Sequence, residues 1–283
     1  MIPVLRTIDQ LRSLRSEFAL TARSVGFVPT MGALHAGHLS LISACAMGND
    51  EVVVSIFVNP LQFGSPEDLV HYPRQLEADV QLAANAGATL IFAPDEEQMF
   101  PRGVPIVTVD PGALGVLLEG RARPGHMRGV ATIVTKLLSV VGADRAYFGE
   151  KDFEQLTLVR HLALDLDLGV EIVGMPIVRE DDGLAMSSRN QRLSADDRQH
   201  ALVLFRALQR GREEVERGES DLQKIERIMG TVIDDEPGVT LDYAAVRSAV
   251  DLSAPTEPNE PLRLLVAATV GPVRLIDNLA IKR

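Results

Sequence analysis

Two histidines, His35 and His38, flank Gly37 in the stretch Pro29-Thr30-Met31-Gly32-Ala33-Leu34-His35-Ala36-Gly37-His38. The apolar run Val25-Gly26-Phe27-Val28 leads straight into it, as a strand leads into a turn. If a helix opens here, positions i and i+3 share one face of its first turn, and both imidazoles reach the same space. The unpaired backbone N–H groups of a helix start already attract phosphate. Gly37 leaves no side chain between the rings, so a nucleotide can approach the backbone closely. That suits stabilisation of charge on a phosphate under attack. The plain alternative is an ordinary helix with one buried and one solvated histidine, and the neighbouring clusters decide between them.

Asn59-Pro60-Leu61-Gln62-Phe63, Gly149-Glu150-Lys151-Asp152 and Met186-Ser187-Ser188-Arg189-Asn190 follow other strand-like runs. Each alone is weak: Asn-Pro is commonly a turn, Lys beside Asp a solvated pair, Ser-Ser a helix cap. A triphosphate needs cationic and hydroxyl donors around it, and Lys151, Ser187, Ser188 and Arg189 supply them. In open parallel sheets, ligands sit beyond the carboxyl ends of the strands. Four polar turns at one sheet edge then converge on one cleft.

The elements that must carry these turns alternate through the first 175 or so residues. Nearly continuous apolar runs at 51–58 and 89–93 predict covered strands, with shorter ones at 145–148 and 170–173. Helical spacing predicts helices over 73–86, ended by Gly87, over 127–141 and over 153–166. This alternation implies an α/β fold with a Rossmann-like doubly wound parallel sheet. Beyond Met186 the texture changes. Ser194-Ala195-Asp196-Asp197 opens a charged helix to about 217, and a second helix covers 221–233. Strand-like segments at 240–246, 262–269 and 273–279, with a Pro- and Glu-rich loop at 254–261, complete a smaller C-terminal α+β domain. The division expected is 1–177 and 178–283.

The 283 residues are 46% hydrophobic and 24% charged, a soluble globular balance with a core that needs no staples. Lys plus Arg number 28 against 39 Asp plus Glu, a net charge of −11 that argues against a nucleic-acid partner. The single cysteine, Cys45, excludes an internal disulfide framework and fits a reducing compartment. No stretch approaches the ~18 apolar residues of a membrane span, nor does the start read as a targeting segment. A cytoplasmic protein is expected.

Taken together, PTMGALHAGH at 29–38, SIFVNPLQF at 55–63, YPR at 72–74, LEG-x-x-RPGH at 118–126, FGEKD at 148–152 and GLAMSSRN at 183–190 resemble the pantothenate synthetase (pantoate–β-alanine ligase) family. Its members are adenylate-forming enzymes of the HxGH nucleotidylyltransferase group. The resemblance implies a Mg²⁺-ATP-dependent ligase that joins pantoate to β-alanine, a C-terminal domain acting as a lid, and a homodimer. It implies ATP contacts at Met31, Gly32, Ala33, Leu34, His35, Ala36, Gly37, His38, Gly149, Glu150, Lys151, Asp152, Val178, Met186, Ser187, Ser188 and Arg189. His38 is the implied proton donor, with His35 and Lys151 beside it as catalytic groups. Gln62 and Gln155 are expected to bind pantoate, Gln62 also to serve β-alanine, and Asn59 and Tyr72 to be pocket or gate residues. Glu154 and Met127 depart from the family pattern, which calls for Gln and Phe, and bear on local packing. The Mg²⁺ ligands are not legible; Asp79 and Asp152 are the candidates. A transferase acting on a phosphate monoester would call for basic residues where this chain has glutamines.

Overall fold

The computed structural model describes residues 2–64, 66–256 and 260–281. The chain forms two compact units, Met1–Glu150 with Leu158–Pro176, and Lys151–Thr157 with Ile177–Arg283.

The first unit is a parallel sheet of β1 (Val4–Leu5), β2 (Val25–Thr30), β3 (Glu51–Ile56), β4 (Leu90–Phe92), β5 (Arg145–Gly149) and β6 (Glu171–Met175). Its order is β1-β4-β3-β2-β5-β6, and every paired neighbour runs parallel. Helices α1 (Ile8–Leu20), α2 (Ala36–Gly48), α3 (Pro66–Val70), α4 (Leu76–Asn85), α5 (Glu96–Met99), α6 (Leu118–Ala122) and α7 (His126–Val141) belong to this unit. Helix α8 (Phe153–Asp165) begins in the second unit and continues in the first. The Val-rich β3 is buried along nearly its whole length, the reason its run shows no polar alternation. In α7, Val130, Val134, Leu137, Leu138 and Val141 are buried, as their spacing predicts. Strand β2 pairs with β3 on one side and β5 on the other. The strand order therefore reverses at β2, where the crevice of such a sheet opens at the carboxyl ends.

Some boundaries differ from expectation. Strand β3 stops at Ile56, before Val58, and α4 starts at Leu76 instead of Pro73. The two-residue β1 carries too little pattern to be read.

The second unit pairs helices with an antiparallel sheet. Helices α9 (Ala195–Ala201), α10 (Val203–Glu216) and α11 (Leu222–Asp234) precede β7 (Val239–Ser248), β8 (Leu262–Val270) and β9 (Val273–Ile281), ordered β7-β8-β9. The single helix expected from 194 to about 217 is two. The Leu202 N–H tightens onto Gln199 O at 3.3 Å, an i→i−3 bond that interrupts the α-helical ladder. One sheet face buries Leu264, Val266 and Leu275 with Leu204, Leu208, Ile225 and Met229 in the core of this unit. On the other face, Arg263 stacks on Phe153 at 4.1 Å and the Tyr243 hydroxyl donates to Glu154 Oε1 at 3.3 Å. Residues 151–157 thus pack as part of this unit. Of the expected loop, residues 257–259 lie outside the described residues.

Candidate active site

Beyond β2 the backbone takes two consecutive left-handed steps, Gly32 (φ +82°) and Ala33 (φ +51°). A Cβ at Gly32 would stand 2.9 Å from Asp79 Oδ2, so the position demands glycine on two counts. Thr30 Oγ1 donates to Ser55 O at 2.7 Å and accepts the Gly32 N–H at 3.1 Å. Asp79, buried in the first turn of α4, accepts the Ala33 N–H (3.0 Å) and the Leu34 N–H (2.8 Å), one on each oxygen. Both carboxylate oxygens are therefore engaged in shaping this turn, which is a different job from the Mg²⁺ ligand considered for Asp79.

The turn delivers His35 as the N-cap of α2. Its Nδ1 accepts the Gly37 N–H at 3.2 Å, while His38 Nδ1 accepts the His35 N–H at 3.3 Å. This is a reciprocal capping box built from two histidines. Its consequence is chemical: with each Nδ1 accepting from backbone, the ring proton of each neutral imidazole sits on Nε2. The rings lie 4.1 Å apart, tilted by 40°.

After β3, a 3₁₀ turn, Pro60–Gln62, is capped by Asn59. Asn59 is buried and spends its amide internally. Oδ1 accepts the Leu61 N–H (3.2 Å), and Nδ2 donates to Gln62 Oε1 (3.0 Å) and Gly129 O (3.2 Å). The Gln62 amide then donates to Met31 Sδ at 3.0 Å, joining this turn to the histidine loop. Behind it, Gln62 O accepts from His126 Nδ1 (2.7 Å) and Arg123 (3.3 Å), which gives the Arg-Pro-Gly-His stretch a supporting role. Tyr72 meets Phe63 edge-on at 5.7 Å. Gly129, in the first turn of α7, is a residue the sequence reading does not reach, though a glycine inside a helix is a signal of close approach. A Cβ there would stand 2.2 Å from Leu61 O. Gly129→Ala is accordingly expected to displace the Asn59–Gln62 turn and cost about 1–3 kcal/mol, measurable by thermal unfolding.

In the second unit, Lys151 Nζ lies 3.6 Å from Asp152 Oδ1. Gln155 is half-buried in the first turn of α8. Val178 O accepts the Met186 N–H at 3.0 Å, closing a hairpin that ends in Ser187. Ser187 caps the turn Ser188–Arg192 by accepting the Arg189 N–H at 3.3 Å, and Asn190 ties it back to Glu180 and to Ala185 O, both at 3.1 Å. Of the two family departures, Glu154 is buried against Tyr243 and Met127 is buried in α7.

Among the described residues, no group of three or more His, Cys, Asp or Glu is placed to hold a metal. Mg²⁺ commonly binds through substrate phosphates, water and one or two carboxylates. Asp152, with about half of its side chain exposed (53%), fits that arrangement, whereas buried Asp79 does not.

A sequence model of the family described as Pantoate-beta-alanine ligase matches residues 3–280. Pantothenate synthetase of Ruegeria sp. (strain TM1040) is 46% identical, the match covering 99% of each chain. That of Nocardioides sp. (strain ATCC BAA-499 / JS614) is 49% identical over 98% of this chain and 85% of its own. The crystal structure of pantothenate synthetase from Thermus thermophilus is similar across the full length of both chains, with a TM-score of 0.92 and 45% identity. Pantoate-beta-alanine ligase from Francisella tularensis, solved in complex with beta-gamma ATP and beta-alanine, aligns at a TM-score of 0.80 and 34% identity, covering 99% of this chain and 98% of its own.

Proposed function

Because the chain belongs to the pantoate–β-alanine ligase family, we propose that it condenses pantoate with β-alanine, converting ATP to AMP and pyrophosphate through a pantoyl adenylate. The observation that carries this reading is the pair of imidazoles locked at the start of α2. A carboxylate is a poor acyl donor, because its oxygen leaves badly. Attack of the pantoate carboxylate on the α-phosphorus of ATP expels pyrophosphate and leaves AMP as the leaving group. The β-alanine amine then forms the amide, loses a proton and releases AMP. No protein nucleophile is needed, and Cys45 offers none: burial pushes its thiol up to about 12, against the pull of a bond from Asn49.

Catalysis is then positioning and charge stabilisation. ATP is assigned to the backbone and side chains from Met31 to His38 and to Gly149 and Glu150. It is assigned also to Lys151, Asp152, Val178, Met186, Ser187, Ser188 and Arg189. His35 and His38 donate through Nε2–H to charge developing on the α-phosphate, with His38 the proton donor, and Lys151 neutralises phosphate charge. Gln62 and Gln155 hold pantoate as neutral amides, which leave the carboxylate its nucleophilic electrons, and Gln62 also serves β-alanine. Asn59 sets Gln62 and Tyr72 borders the pocket. Mg²⁺, held by Asp152 and the phosphates, would add charge neutralisation.

The assignment of 178–283 as a lid belongs to the same proposal, as do a cytoplasmic location and a homodimer. No helix among the described residues is long and apolar enough to cross a membrane. A subunit-mass measurement in solution checks the homodimer.

The decisive assay omits β-alanine. With Mg²⁺-ATP and pantoate alone, labelled pyrophosphate should exchange into ATP. With β-alanine added, one ¹⁸O from the pantoate carboxylate should appear in AMP. Label in inorganic phosphate beside ADP would mean an acyl phosphate and a different enzyme.

A further inference from the structure

Adjacent residues of a strand point to opposite faces, and in β9 both members of one such pair are buried and polar. Asp277 lies on the helix-covered face. It receives Arg179 through two bonds, of 2.6 and 2.9 Å, and the Asn278 N–H at 2.7 Å. Arg179 also donates to Gly183 O at 3.0 Å and stacks on Phe205 at 4.0 Å. It therefore anchors the hairpin that ends in Met186 and Ser187. Asn278 lies on the other face. Its Oδ1 accepts Arg263 Nε at 2.6 Å, and its Nδ2 donates to the backbone carbonyl of Lys151 at 2.8 Å. Arg263 in turn stacks on Phe153, two residues beyond Lys151.

A buried polar network of this kind is costly unless complete, and it then fixes one geometry. Packing Asp277 and Asn278 as apolar residues would hold the sheet together as well, so cohesion alone does not account for them. Burial pushes the Asp277 carboxyl up, and the Arg179 bonds and charge, the Asn278 N–H and the charge of Lys151 oppose it. The Lys151 ammonium is thus electrostatically part of the network as well as its backbone.

We propose that Asp277–Asn278 is a positioning pair for the reaction. Through the two faces of one strand it fixes the Lys151 turn and the Met186–Arg189 turn in a single register. The proposal rests on the assignment of both turns to the ATP phosphates. Neither Asp277 nor Asn278 touches substrate; they act through Lys151 and through the hairpin of Arg179.

The test is a double-mutant cycle on the full chain, reading single-turnover pyrophosphate release from Mg²⁺-ATP and pantoate. Asn278→Ala should slow release about 10- to 100-fold, the scale of a catalytic group displaced by about an ångström. The pantoate KM should change less than about twofold, since bound pantoate is held elsewhere. In a Lys151→Ala background the same substitution should add almost nothing, because the group it positions is gone. Asn278→Asp keeps an acceptor for Arg263 and replaces the donor to Lys151 O by a carboxylate oxygen, which repels that carbonyl. With the added charge paired to Arg263 it should still fold, at a lowered melting temperature, and be slow, which keeps the test open if the alanine variant unfolds. Equal slowing by Asn278→Ala in both backgrounds would assign Asn278 a general structural role and overturn the proposal, as would an unslowed Asn278→Asp. If Lys151→Ala itself releases pyrophosphate at full rate, the role given to Lys151 fails first, and that result is distinguishable from the others.

Discussion

His38→Ala should slow adenylate formation by about 10²–10³-fold while ATP binds nearly as before. The reason lies in when the interaction forms. Charge on the α-phosphate oxygens grows as the carboxylate attacks, and a donor fixed in advance gains strength at that moment. The His38 ring is fixed through Nδ1 by the His35 N–H. Removing the ring also leaves that N–H without its acceptor, which costs about 1 kcal/mol of stability. His38→Gln separates the two effects. Glutamine is a usual residue at this position of a capping box and can accept the same N–H, so stability should recover while the rate stays low. Single-turnover pyrophosphate release and ATP binding, measured on both variants, decide the matter. Lost ATP affinity with unchanged single-turnover chemistry would make His38 a ground-state anchor instead.

Asp79→Ala should be the most damaging change outside the histidine pair. It strands two buried N–H groups, those of Ala33 and Leu34, in a loop that already holds a non-glycine residue at φ +51°. Each buried donor left unsatisfied costs about 1–3 kcal/mol, so a loss of about 2–6 kcal/mol is expected in denaturant unfolding. Adenylate formation should fall by about two orders of magnitude, because the loop sets the start of α2. Asp79→Asn keeps one acceptor oxygen but turns an NH₂ toward the second N–H, so it should fall between parent and alanine. A metal ligand would behave differently. Its loss would spare the melting temperature, and activity would return with excess Mg²⁺.

Asp79 also marks where reading a sequence ends. The helix that carries it is legible from apolar spacing, but its start at Leu76, which puts Asp79 in the first turn, is not. The backbone groups it holds are 45 and 46 positions away, and no local pattern announces them. The histidine element was legible because its chemistry is local: strand, turn and helix start are contiguous. The mutual capping of His35 and His38, which sets the ring protons, is a matter of rotamers, and residue spacing does not carry it. Arg263, Asp277 and Asn278 are the opposite case. Arg263 and Asn278 fall on the strand positions that alternate away from the core, and their burial depends on residues 151–157 covering the outer sheet face, while Asp277 is a polar residue at a core-facing position. The single helix expected over 194–217 failed at Leu202, where apolar spacing continues across a backbone irregularity that spacing cannot register.

The membership of residues 151–157 in the second unit has a bearing on how the chain folds. Glu154 and Tyr243 are 89 positions apart, and the intervening segment 158–176 belongs to the other unit. The antiparallel sheet of the second unit is therefore assembled on a strip synthesised long before its own strands. Contacts of such sequence separation slow a folding reaction, although the closure entropy grows only with the logarithm of loop length. A fragment begun at Ile177 would contain all three strands yet lack the ring beneath Arg263, leaving a guanidinium on an open apolar face. Such a fragment should aggregate or remain expanded, and supplying the 151–157 strip in trans should be the condition for its refolding.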